Sequence, residues 1–131
     1  MTWVIDASVA VEILLRTAMG EHAWGMIHDG DLVAPDLLDA EVLSVLRREN
    51  LAGRLGEPRA REALDDLAAW GIERVPCVLL LSEAWTFRAN ASAYDALYLA
   101  LAVRRNAGVI TADGPLARAP IKGVTIHNIR G

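Results

Sequence analysis

The sequence predicts one α/β domain built on a central, mostly parallel sheet of four to five short strands. Short runs of β-type residues alternate with helical runs along the whole chain, a pattern typical of parallel strands joined by helical crossovers. A length of 131 residues suits one domain, which we expect to span residues 1–131. Because 53% of the residues are hydrophobic, the chain can bury a core and is not expected to be disordered.

The first half of the chain is predicted to contribute two strands and three helices. In chain order they lie over residues 3–6 (strand), 8–16 and 20–28 (helices), 32–34 (strand) and 37–50 (helix). The last helix is the best defined, since Leu38, Val42, Val45 and Leu46 recur at helical spacing and form one apolar stripe. Pro35 ends the strand that precedes it.

The second half is predicted to continue the alternation. Its elements are a helix that begins near Pro58 and ends before Gly71, a strand over 72–75, helices over 78–89 and 93–106, and strands over 109–111 and 124–129. Ser92 is a suitable N-cap for the helix over 93–106, and Gly108 lies beyond its end. Because this helix is apolar on nearly every side, we expect it to be buried.

Composition and charge exclude several classes of protein. The net charge of −4 excludes a strongly basic nucleic-acid coat. The single cysteine, Cys77, excludes an internal disulfide and a zinc site built on several cysteines, and it favours a reducing compartment. No apolar run is long enough for a membrane span, and Asp6 and Glu12 interrupt the apolar start, which argues against a signal peptide. We therefore expect a cytoplasmic protein.

Two aspartates follow apolar strands, where ligands bind in open α/β sheets. Asp6 ends the first strand, and Asp113 follows the strand over 109–111. Each has a hydroxyl two residues away, Ser8 and Thr111, that can orient the carboxylate or a water. The alternative is local: Asp6 as the N-cap of the first helix and Asp113 as the start of a turn.

Two further acids lie on apolar helix faces. Glu41 shares the face of Leu38 and Val42, and Asp95 begins the apolar helix over 93–106. The alternatives are a position at the edge of the core for Glu41 and a capping box with Ser92 for Asp95. Four converging carboxylates would raise one another's pKa values, and a divalent cation would offset the repulsion. Oxygen ligands without His or Cys favour Mg²⁺, with Mn²⁺ as the alternative.

These residues resemble the PIN-domain ribonucleases, especially the VapC toxins of bacterial toxin–antitoxin pairs. The matching segments are residues 4–9, 35–42, 92–102 and 109–113, which occur in the family's order and extend over nearly the whole chain. The resemblance implies a three-layer α/β/α fold and a Mg²⁺- or Mn²⁺-dependent endoribonuclease. It also implies a homodimer and a cognate antitoxin that blocks the site.

The resemblance places the family's acidic site on four residues of this chain. They are Asp6, Glu41, Asp95 and Asp113, and Ser8 and Thr111 match the supporting hydroxyls. Within this set we expect Asp6, Asp95 and Asp113 to hold the metal. Some family members carry a further acid shortly after the last one, whereas no acid follows Asp113 here. A second metal would then be weakly bound or arrive with the RNA.

Two other functions stay open at the level of sequence. An aspartate-dependent phosphatase of the haloacid dehalogenase type would need a second aspartate two residues after the first, and that position is Ser8. A catalytically degenerate domain would bind RNA or a partner without cleaving. For any single arginine, ordinary solvated helix surface is the favoured interpretation, and the candidate RNA contacts are Arg47, Arg48, Arg54, Arg59 and Arg61.

Overall fold

The computed structural model describes residues 1–118 and 121–130 and contains a five-stranded sheet flanked by helices. The strands are β1 (Thr2–Ile5), β2 (Asp31–Pro35), β3 (Glu73–Val75), β4 (Gly108–Thr111) and β5 (Ile126–Asn128). Their order is β3-β2-β1-β4-β5, and all four pairings are parallel. The predicted α/β/α architecture with a central parallel sheet is confirmed.

Helices connect the strands and cover the sheet. They are α1 (Ala7–Leu14), α2 (Ala18–Ile27), α3 (Leu37–Leu51), α4 (Glu57–Ala69), α5 (Leu81–Trp85), α6 (Ala93–Arg105) and α7 (Gly114–Ala117). Helix α6 contacts β1, β2 and β4, and its residues from Tyr98 to Ala102 are all buried, as the apolar sequence predicts. Within the described ranges no helix combines the length and apolarity needed to cross a membrane.

The structure corrects three local predictions. The helix predicted over 78–89 is a 3-10 helix, Cys77–Leu80, followed by the short α5, because the backbone then turns with i→i−3 hydrogen bonds from Thr86, Phe87 and Arg88. Helix α6 ends at Asn106 in the left-handed conformation (φ 50°), and Gly108 already belongs to β4. Helix α7, which the sequence did not predict, follows Asp113.

The sheet topology brings distant parts of the chain to one edge. Strands β1 and β4 are neighbours in the middle of the sheet, with Ile5 paired to Ile110. Asp6 and Thr111 therefore lie side by side at the carboxyl ends of these strands, although 105 residues separate them in the chain. This edge of the sheet carries the candidate site.

Candidate functional site

Asp6 is the most buried carboxylate at this edge, with 5% of its surface exposed. It is the N-cap of α1, accepting a hydrogen bond from the backbone N–H of Val9 at 3.1 Å. The hydroxyls of Ser8 (2.7 Å) and Thr111 also donate to its two oxygens. Burial nevertheless raises the pKa of Asp6 to about 6. Asp6 thus caps the helix, and its ionised form is disfavoured by burial. The capping role is therefore compatible with the proposed functional role.

Ser8 and Thr111 join the two loops that leave β1 and β4. Thr111 is fully buried, donates to Asp6 and accepts a hydrogen bond from the backbone N–H of Asp113 at 2.9 Å. Ser8 accepts a hydrogen bond from the backbone N–H of Ala112, also at 2.9 Å. Both hydroxyls therefore support Asp6 and fix the backbone that carries Asp113.

The negative charge of Asp113 acts on the carboxylates of both Asp6 and Asp95. Asp113 caps α7 through a 3.4 Å hydrogen bond from the backbone N–H of Leu116, so a helix begins where the local alternative expected the start of a turn. Its negative charge also contributes to the raised pKa values of both Asp6 and Asp95. The two strand-end aspartates and the helix-start aspartate consequently interact.

Asp95 occupies the first turn of α6. Its backbone N–H donates to the Ser92 hydroxyl at 3.1 Å, which confirms Ser92 as the N-cap. The Asp95 side chain is half-buried, and its pKa is raised by burial first and by the Asp113 charge second. A hydrogen bond from the Ser92 side chain to the Asp95 carboxylate lowers that pKa in part, so Ser92 interacts with both the backbone and the side chain of Asp95.

Glu41 completes the acidic group from α3. Its carboxylate is half-buried and accepts a 2.6 Å hydrogen bond from the hydroxyl of Tyr98. Burial raises the pKa of Glu41, and the charge of Asp95 adds to this effect. Tyr98 received no role in the sequence analysis. The available signal was its place on the stripe of α6 that also carries Asp95, three residues earlier.

The four predicted acids thus form a chain of mutually repelling charges: Asp6 with Asp113, Asp113 with Asp95, and Asp95 with Glu41. In the part of the chain that the structure describes, no three Asp, Glu, His or Cys side chains are close enough to hold an ion as they stand. The donor set still fits a hard divalent cation, because all four donors are carboxylates and burial disfavours their charges. An ion would have to draw the carboxylates together.

Three of the five arginines considered as candidate RNA contacts are engaged within the protein. Arg54 pairs with Glu49, Arg61 lies 3.9 Å from Glu57, and Arg59 donates to the backbone carbonyl of Leu14. Arg47 and Arg48 are exposed on α3. The solvated-surface interpretation therefore accounts for Arg54 and Arg61.

Comparison with known proteins gives consistent results for sequence and fold. A family model described as PIN domain matches residues 3–122. The chain is 40% identical to ribonuclease VapC9 of Mycobacterium tuberculosis over 110 residues, which is 84% of each chain. It is 39% identical to ribonuclease VapC1 of the same species over 119 residues, covering 89% of this chain and 90% of the relative.

The fold is also similar to solved structures of low sequence identity. A VapBC2 complex from Rickettsia felis, bound to a DNA fragment from its promoter, has a TM-score of 0.68 at 14% identity and 98% coverage of both chains. VapC20 of Mycobacterium tuberculosis, described as a sarcin-ricin loop cleaving toxin, has a TM-score of 0.66 at 16% identity, with 94% of this chain and 98% of that one covered. These likenesses concern the fold.

Proposed function

Because the chain belongs to the PIN-domain family and, within it, to the VapC ribonucleases, we propose that it is the metal-dependent endoribonuclease toxin of a toxin–antitoxin pair, active in the cytoplasm. The observation that carries the metal-dependent part is Asp6, a nearly buried carboxylate linked by charge to Asp113 and, through it, to Asp95. Such a group of acids is stabilised by a divalent cation. A phosphodiester can approach the acids once the cation has offset their charge.

We assign Asp6, Asp95 and Asp113 to the binding of Mg²⁺ or Mn²⁺. When bound, the ion supplies stabilisation of the negative charge at the phosphate and makes water a better nucleophile. Ser8 and Thr111 hold the Asp6 carboxylate in one orientation through their hydrogen bonds. Glu41, held by Tyr98, accepts the proton of the attacking water. Attack by water leaves a 5′-phosphate and a 3′-hydroxyl.

The test is the substitution Asp95→Asn, which keeps the shape of the side chain and removes its charge. We expect the variant to fold normally, to lose Mg²⁺ binding in calorimetry and to cleave RNA at least about 100-fold more slowly, because a ligand of the ion is lost. The matched control is Asp65→Asn, since Asp65 is an exposed acid on α4. Cleavage by Asp95→Asn at the parental rate would remove Asp95 from the site. Cleavage that continues undiminished in EDTA would refute metal dependence.

The antitoxin partner is supported by the fold likeness to toxin–antitoxin complexes and by a groove on the surface. A cavity of about 440 Å³ lies between α1, α2 and α4, with Trp24 and Trp70 in edge-to-face contact along it. Two acids, Glu21 and Asp66, and one cation, Arg16, line it as well, and this excess of negative charge suits a helix that carries basic residues. Co-expression with the product of any small neighbouring gene tests the proposal. Failure to co-purify and to inhibit cleavage would contradict it.

A homodimer is supported by an apolar surface formed by the 3-10 helix, α5 and α6. Of the eleven strongly exposed large hydrophobic side chains among the described residues, six lie here: Val78, Leu79, Leu81, Trp85, Tyr94 and Val103. Leu81→Glu should yield a monomer in size-exclusion chromatography with light scattering, because a charge would enter the interface. Leu43→Glu is the control, since Leu43 is similarly exposed (53% against 58%) on α3. Equal masses for the two variants would place the interface elsewhere.

A further inference from the structure

RNA carries one negative charge per phosphate, and the candidate site is itself lined by four carboxylates. The chain has a net charge of −4, so attraction between the whole protein and RNA cannot position the strand. Cationic side chains close to the acidic group have to contact the phosphates that flank the cleaved bond. The arginines differ in whether their guanidinium groups already form hydrogen bonds or ion pairs within the protein.

Most arginines are already engaged. Arg74 is held by both oxygens of Asp39 and by three backbone carbonyls, and Arg105 pairs with Glu73. Arg104 donates to the backbone carbonyl of Leu79. Among residues 1–118 and 121–130, four arginine guanidinium groups have no recorded hydrogen bond or ion pair: Arg16, Arg47, Arg48 and Arg118.

Of these four, Arg118 belongs to the segment that begins at Asp113. It follows α7, and its backbone N–H donates to the carbonyl of Gly114 at 3.0 Å. Its guanidinium folds back against Gly114, where a Cβ atom would lie 2.6 Å from Nη1 and 3.3 Å from Cζ. A guanidinium without a carboxylate partner therefore lies against the residue next to Asp113.

Arg130 contacts the same loop but is partly neutralised. Its Nε donates to the backbone carbonyl of Ala112 at 2.6 Å, and its Nη2 lies 3.9 Å from the carboxylate of Glu12. This arginine fixes the backbone just before Asp113. The loop of residues 112–114 is thus flanked by two guanidinium groups, of which Arg118 is the one without a protein acceptor in the described residues.

We propose that Arg118 binds an RNA phosphate adjacent to the cleaved bond, an inference that rests on the proposed ribonuclease function. The planar guanidinium offers two parallel N–H donors to one phosphate and keeps its charge at all working pH values. Gly114 is part of this arrangement, because the absence of a side chain lets the guanidinium lie against the backbone. Arg118 places the strand from its position against Gly114, the residue that follows Asp113, and the acidic group acts on the bond.

The experiment measures binding of a fluorescein-labelled, mixed-sequence single-stranded RNA of about 20 nucleotides by anisotropy, with Ca²⁺ in place of Mg²⁺ so that a hard cation offsets the charge of the acids. Gel electrophoresis after each titration verifies that the RNA is intact. Arg118→Gln should weaken binding about tenfold and lower the slope of log K against log salt by about one, since one charged contact is lost. Gly114→Ala should weaken binding several-fold with the charge intact, because the new methyl group displaces the guanidinium. Arg16→Gln is the control, because Arg16 lies beyond the far end of α1.

The outcomes separate this inference from the function on which it rests. If the wild-type protein cleaves RNA in Mg²⁺ and Arg118→Gln binds RNA as tightly as Arg16→Gln does, the role of Arg118 is refuted and the ribonuclease stands. If the wild-type protein neither binds nor cleaves RNA, both proposals fail. Circular dichroism of each variant verifies that the fold is intact. A loss of affinity in Arg118→Gln with an unchanged salt slope would also overturn a phosphate contact.

Discussion

The buried carboxylate of Asp6 should make the metal-free protein less stable as the pH rises from about 4 to 6. In an unfolded chain an aspartate has a pKa of 3.8, and burial raises that of Asp6 to about 6. Between these values the folded state holds a proton that the unfolded state has released. Unfolding therefore becomes easier as pH rises through this window, and the effect levels off above pH 6.

The size of the effect follows from the two pKa values. The folded and unfolded pKa values differ by about two, and one pKa unit corresponds to about 1.4 kcal/mol. Ionisation of Asp6 therefore lowers the free energy of unfolding by about 3 kcal/mol in all. About 2 kcal/mol of this falls between pH 4.5 and 7.5, since part of the effect is already present at pH 4.5. Asp6→Asn removes the titration while keeping a side-chain oxygen for Ser8 and Val9.

The assay is urea unfolding followed by tryptophan fluorescence, in EDTA, at pH 4.5 and 7.5. The free energy of unfolding should fall by about 2 kcal/mol more in the wild type than in Asp6→Asn over this interval. At pH 7.5 the variant should be the more stable protein, although it no longer cleaves RNA. Identical pH dependence in the two proteins would show that Asp6 does not titrate near pH 6, and the argument for a strained acidic centre would fail.

Two further substitutions have matched controls in the same helices. Tyr98→Phe removes the hydroxyl that holds Glu41 and should lower kcat about tenfold with little change in KM or melting temperature. Tyr94→Phe is the control, because Tyr94 is exposed on the same helix. Equal kcat values for the two variants would show that Tyr98 has no positioning role. Gly20→Ala should destabilise by about 2–3 kcal/mol in urea unfolding, since its Cβ would lie 2.0 Å from a backbone oxygen of α1. Gly25→Ala, with nothing within 4 Å, should be neutral or stabilising by up to about 1 kcal/mol, and similar values for both variants would contradict the close packing of α1 and α2.

The sequence predicted correctly those helices whose boundaries are set by nearby residues. The helix over 37–50 is observed as Leu37–Leu51, and that over 93–106 as Ala93–Arg105, because a regular apolar stripe defines the first and Ser92 caps the second. The prediction of one helix over 78–89 was wrong although Leu80 and Ala84 are buried at helical spacing, because the backbone forms i→i−3 hydrogen bonds before and after α5. Val78 and Leu79 are exposed. Within residues 1–118 and 121–130 nothing covers Val78 and Leu79, so periodicity along one chain could not interpret these exposed apolar residues.

The site required information that no local pattern contains. The spacing of Asp6 and Ser8 could be read directly, because both belong to one N-terminal turn of α1. The contact between Thr111 and Asp6 depends on the register of β1 and β4, in which Ile5 faces Ile110. A shift of one residue would turn the Thr111 hydroxyl to the other face of the sheet and leave Asp6 buried with one donor fewer.

The same dependence on strand register explains why a costly buried acid can persist in this fold. The strand residues just before Asp6 and Thr111 are fully buried and fix the pairing of β1 with β4; they are Val4, Ile5, Val109 and Ile110. The core therefore offsets the cost of ionising Asp6 and holds its hydroxyl donors in place at the same time. A group of acids carried on flexible loops would move apart to relieve its repulsion, whereas here the register of β1 and β4 fixes Asp6, and the Thr111 hydroxyl holds the backbone N–H of Asp113.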